Sequence, residues 1–209
     1  TEDNPFGFGY SLPKRVQVEY IIVLMDDVKS QVEPPTPDAL EEFYGNNIHY
    51  FQTQVPSDPN DPDSDPITQT RPFAEVEPQI RRAIENERSA NFVNMLFNEL
   101  KDKTEAGFEA ITFENATFDE LQMAAGDYPA AAEAISTEHD VPVRTGKTGW
   151  LSATDLNRDR VLNSLSLQQH QNRLRLPDVL LSISDDAAEP KRLIGMPMIR
   201  PWQNIGPMR

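Results

Sequence analysis

The chain has 209 residues, which suits one large domain or two small ones with a real core. It carries 19 Lys and Arg against 34 Asp and Glu, a formal charge of -15. A field of that sign repels phosphates and anionic membranes, so no nucleic-acid partner is expected. There is no cysteine, which excludes disulfides, thiol catalysis and zinc–thiolate sites.

No apolar run approaches the roughly 20 residues that a membrane-spanning helix needs. The longest, Tyr20–Met25, is far shorter. The chain opens at Thr1 with neither an initiator Met nor a signal segment, and reads as a trimmed or processed chain. Any upstream anchor would lie outside it.

Residues 1–13 are rich in turn formers and read as an irregular lead-in. Val16, Val18, Tyr20 and Ile22 then alternate with Gln17, Glu19 and Ile21, the period of a strand. Met25–Val32 follows as a short helix. Thr36 and Pro37 form a helix start, a hydroxyl cap followed by a residue whose missing N–H costs nothing at the first helical position. Leu40, Phe43, Tyr44 and Ile48 share one face, which predicts a helix over 37–49. The proline- and aspartate-rich stretch 54–72 predicts an irregular, solvated loop, because nothing apolar in it is periodic.

The strongest pattern comes next. Phe73, Val76, Ile80, Ala83 and Ile84 begin a stripe that Ala90, Val93, Phe97 and Leu100 continue. Glu77, Arg81, Arg82, Glu85 and Arg88 supply its wet face. The expected helix runs over about 73–106, roughly 30 residues and about 45 Å at 1.5 Å per residue, with Gly107 as its C-terminal cap. Beyond it, 117–125 and 129–137 read as short helices, 141–144 as a strand and 146–150 as a turn. Residues 159–170 and 178–182 read as helical or partly so, and 193–199 as a closing edge strand. The fold class is therefore α+β, mainly α: a long amphipathic helix with shorter helices and a few short strands. A soft boundary near 107–112 divides a helical region, 1–107, from a smaller α+β lobe, 108–209.

Catalytic and metal motifs are sparse. Asp155, Asn157 and Asp159 match the start of a calcium loop, but Arg160 stands where the sharp turn wants Gly and Ser166 where a bidentate Glu belongs. A capped loop before a helix is the simpler reading. Asp58, Asp61, Asp63 and Asp65 form a carboxylate-rich loop whose prolines resist a wrap-around cage. His49, His139 and His170 lack the spacing of a metal motif. Gly146-Lys147-Thr148 lacks the upstream glycines of a phosphate loop, and no serine-nucleophile motif is present. No cofactor is implied.

Aromatic and methionine side chains are the better binding candidates. Phe6, Phe8 and Tyr10 crowd the N-terminus. The residues selected as a polypeptide-binding set are Phe43, Tyr44, Tyr50, Phe51, Phe97, Met196, Met198 and Trp202.

Five segments, in order, carry a family resemblance. Residues 12–21 (LPKRVQVEYI), 35–47 (PTPDALEEFYGNN) with Phe51, 72–84 (PFAEVEPQIRRAI), 117–125 (TFDELQMAA) and 145–152 (TGKTGWLS) resemble the corresponding runs of SurA/PpiD-type periplasmic folding factors. The resemblance implies an extracytoplasmic chaperone, often membrane-anchored, that holds unfolded or extended polypeptide in grooves between helices. Many members carry a parvulin-type prolyl isomerase domain. Its paired histidines have no counterpart here, so no catalytic residue is carried over. The leading expectation is a polypeptide-binding module. The alternatives are an assembly protein that self-associates through the long helix, and a divergent peptidyl-prolyl isomerase.

Overall fold

The computed structural model describes residues 13–169, 172–183 and 200–208. The expected strand over 193–199, Met196, Met198, His170 and the N-terminal Phe6, Phe8 and Tyr10 lie outside the described residues. In chain order come β1 (Arg15–Val16), β2 (Glu19–Val23), α1 (Met25–Lys29), α2 (Pro37–Asn46), β3 (Gln52–Asp58), β4 (Asp61–Thr70) and α3 (Phe73–Glu105). There follow α4 (Phe118–Ala124), α5 (Tyr128–His139), β5 (Val143–Lys147), β6 (Leu151–Ser152), α6 (Ala153–Arg158), α7 (Arg160–Ser164), β7 (Ser166–Gln169), β8 (Asn172–Arg175) and α8 (Leu176–Ser182). The fold is α+β and mainly α, with one helix of 33 residues and otherwise short elements. No helix among the described residues is long and apolar enough to cross a membrane.

The chain packs as two compact units. One covers 23–95; the other is built from the described parts of 1–22 and 96–209. The division falls inside α3, between Met95 and Leu96, whereas the sequence reading cuts the chain at 107–112.

In the first unit, α2 starts as its residues dictate. The Thr36 hydroxyl accepts the Ala39 N–H at 3.3 Å, and Pro37 occupies the first turn. The helix stops at Asn46, short of the expected 49, and a 3-10 turn over Ile48–Phe51 follows. Leu40 of α2 meets Val76, Ile80 and Ile84 of α3 in a buried cluster. Pro78 is tolerated as the sixth residue of α3: its ring nitrogen removes one bond near the helix start, and the burial of Val76, Ile80 and Ile84 on the same helix offsets it.

The stretch 54–72 corrects the sequence reading. It is a β-hairpin, with Val55 opposite Ile67 and Pro56 opposite Pro66. Two facing prolines can occupy only a non-hydrogen-bonded pair, where amide hydrogens would point away from the partner strand and nothing is lost. Pro59 and Asn60 form the turn, and the Asp58 carboxylate accepts the Asn60 N–H at 2.9 Å. Proline therefore punctuates this hairpin without preventing it.

The second unit gathers three kinds of contact. Val16, Leu156, Leu176 and Leu180 form one buried cluster, packed by Leu151, Leu162, Ile205 and Met208. β1 pairs antiparallel with β6, and β2 pairs with β5. The strand expected over 141–144 is displaced to 143–147, so Gly146 and Lys147 lie in β5 rather than in a turn. The stretch 159–170 is helical in part, over Arg160–Ser164. α6 and α7 are short helices, and Ser166–Gln169 pairs with Asn172–Arg175 as a second hairpin.

Gly107 does not cap α3 in the expected manner. α3 passes into a 3-10 turn over Ala106–Ala110, and a Cβ at Gly107 would lie 2.3 Å from the Ala124 carbonyl oxygen. A Cβ at Gly126 would lie 2.4 Å from Thr104 Cα. The Gly126 N–H donates to the Thr104 carbonyl at 3.2 Å. Both glycines are needed because two backbones touch here. Gly126→Ala is expected to destabilise the fold by about 1–3 kcal/mol, the usual cost of overpacking, read as a lowered urea midpoint.

Two helices begin with reciprocal caps, Thr117 with Glu120 and Ser152 with Asp155. Hydrogen bonds from Thr117, the backbone N–H before the hydroxyl, hold the Glu120 carboxyl below the usual glutamate range. The Ser152 hydroxyl, then its N–H, does the same for Asp155. A depressed carboxylate contributes stability above its unfolded-state pKa and loses it as pH falls through the folded value. The urea midpoint is therefore expected to drop below about pH 4, and to drop less in the Glu120→Gln, Asp155→Asn double variant.

Candidate functional site

The aromatic residues selected from the sequence divide into wall and surface. Phe43, Tyr44 and Phe51 are half-buried and pack, with Phe73, on the Leu40–Val76–Ile80–Ile84 cluster. The Tyr44 ring stacks on Phe51 at 5.4 Å and meets Phe73 edge-on at 5.6 Å. The Tyr44 hydroxyl donates to the Arg71 carbonyl at 2.7 Å. These three side chains pack α2 and the turn after it onto α3. Tyr50 differs: it is 75% exposed, its ring 4.1 Å from that of His49. Phe97 is half-buried on α3.

Asp155, Asn157 and Asp159 each engage a local partner. Asp155 caps α6, and the Asn157 amide donates to the Ala153 carbonyl at 2.7 Å. Asp159 caps α7 by accepting the Val161 and Leu162 N–H groups, each at 2.9 Å. Each side chain has a local backbone partner, as a capped loop requires.

Trp202 leads to a site that periodicity does not disclose. Residues 200–208 return to the C-terminal end of α3. Asn204 donates to the Thr104 hydroxyl at 2.8 Å, and Thr104 donates to the Leu100 carbonyl at 2.7 Å. The Tyr128 hydroxyl donates to the Asn204 side-chain oxygen. Burial raises the pKa of Tyr128, and the Glu19 and Glu105 carboxylates raise it further. This network ties α3, α5 and the C-terminal segment together with no buried side-chain polar atom left unpaired among the described residues.

Beside the network lies an open cleft of about 520 Å³. Its apolar floor is Phe108 and Phe113, stacked at 6.4 Å. Asp102, Glu105 and Glu109 give it a carboxylate rim; Lys101 lies 3.8 Å from Glu105, and Gln203 and Asn204 add amides. The Arg200 guanidinium sits 4.5 Å above the Phe113 ring. On the adjoining surface Trp202, 43% exposed, meets the ring of Phe118 edge-on at 5.8 Å. Met123, on α4 with Phe118, is 78% exposed. Phe108, Phe113, Phe118 and Met123 were not selected from the sequence. They lie in 3-10 turns and a seven-residue helix, too short for a periodic signal.

The same unit holds a mixed donor cluster, Glu99, Glu138 and His139, with one donor atom from each within 4.8 Å of the others. His139 Nε2 lies 2.7 Å from a Glu99 carboxylate oxygen. The cleft is of a size that takes a side chain or a small ligand. Its aromatic floor and acidic rim suit an apolar group flanked by positive charge. Comparison with models of protein families, with curated proteins and with solved structures returns no match.

Proposed function

We propose that this chain is a chaperone-type module that binds extended polypeptide, part of an exported folding factor of the periplasm or cell envelope. The observation that carries the proposal is the union, in one unit, of an aromatic-floored acidic cleft with outward-facing Trp202, Phe118 and Met123. Exposed thioether and aromatic groups bind apolar segments of varied sequence, because they adapt their shape and demand few directed bonds. The charge of -15 keeps such a surface soluble and favours clients with basic residues.

The ordered resemblance to SurA/PpiD-type folding factors supports the same reading. Its five segments fall on β1 and β2, on α2, on the start of α3, on α4, and on β5 and β6.

The purified chain is expected to suppress aggregation of a chemically unfolded client and to bind an apolar, basic peptide with a micromolar Kd. Raised salt should weaken that binding. A Met123→Ser, Phe118→Ser double variant should weaken it about tenfold, equivalent to about 1.4 kcal/mol. Absence of both aggregation suppression and micromolar peptide binding would remove the proposal.

A further inference from the structure

α5 ends at His139 because Asp140 turns left-handed, with φ 53°. That stop leaves Glu138 and His139 as the last two helical residues, beside the C-terminal half of α3. Glu99 of α3 meets His139 there at 2.7 Å, and the three donor atoms already lie within 4.8 Å of one another. Two carboxylate oxygens and one imidazole nitrogen are a mixed donor set. Such sets suit zinc and its first-row neighbours better than calcium or magnesium, which favour oxygen alone.

We propose that Glu99, Glu138 and His139 form a divalent transition-metal site. The ion replaces the direct 2.7 Å contact between His139 Nε2 and the Glu99 carboxylate. Two ligand carboxylates offset the charge of the ion, and three protein ligands leave at least one position for water or an exogenous donor. The His139 side chain is 17% exposed and that of Glu99 33%, so the ion reaches the site from solvent through the Glu138 side, which is 58% exposed. Lys103, one turn beyond Glu99, lies 4.0 Å from Glu138. Its ammonium opposes an incoming cation, and binding displaces it.

Zinc titration of the tag-free full chain, in competition with a chelating indicator, tests the site. One equivalent is expected to bind with a micromolar Kd. Glu99→Gln and His139→Gln should each weaken it at least tenfold, and Lys103→Met should tighten it. Co2+ bound in place of zinc should show visible ligand-field bands that His139→Gln alters. Should His139→Gln unfold the chain, as circular dichroism would show, Glu138→Gln and Lys103→Met carry the test. Affinity indifferent to Glu99, Glu138 and Lys103 alike, or no zinc binding at micromolar concentration, would overturn the assignment.

Discussion

At the C-terminal end of α3 two stretches of backbone touch with no side chain between them. Gly126 lies against Thr104, and Gly107 lies against Ala124. Any Cβ there would meet main-chain atoms, which cannot move aside as a flexible side chain can. This contact sets the places of α4 and α5 in their unit. It also leaves Thr104 buried, with its hydroxyl aimed to receive Asn204. The aromatic floor of the cleft, Phe108 and Phe113, lies in the turns that follow directly. The candidate binding surface thus rests on a backbone contact together with the buried cluster of Phe108, Ala116 and Leu121, against which Phe113 packs.

A small cluster of this kind fits the rest of the chain. Apart from α3, the helices have 12 residues or fewer among the described residues, and the sheets are pairs of strands. Such elements are marginal alone and rely on caps and mutual packing. Large apolar side chains stay outside: Tyr50, Met123, Trp150 and Val161 are each at least 65% exposed. Exposed apolar groups of this kind are the usual material of a binding surface.

Where chemistry is local, the sequence foretells the structure. Thr36 and Pro37 announce α2, the stripe from Val76 to Leu100 announces α3, and the order of helices and strands yields the fold class. Where the deciding contact is distant, it does not. The pairing of Pro56 with Pro66 makes a hairpin of what reads as a loop, because the prolines face each other on the unbonded side. Glu99 stands about forty residues before His139, and no spacing rule joins residues on different helices. Asn204 meets Thr104 across 100 residues. The burial of the aromatic set is hidden in the sequence for a similar reason. Phe43, Tyr44 and Phe51 look identical to Tyr50 in sequence, yet α3 covers them and leaves Tyr50 in water.

The proposed docking of polypeptide in the cleft beside Phe108 and Phe113, with Trp202 and Phe118, is open to direct test. Backbone hydrogen exchange, followed by mass spectrometry with and without a saturating unfolded client, maps the contact position by position. Docking there should slow exchange over 101–124 and 200–208, with little change in the hairpin 52–70. Protection confined to the hairpin, or none anywhere despite bound client, would contradict it.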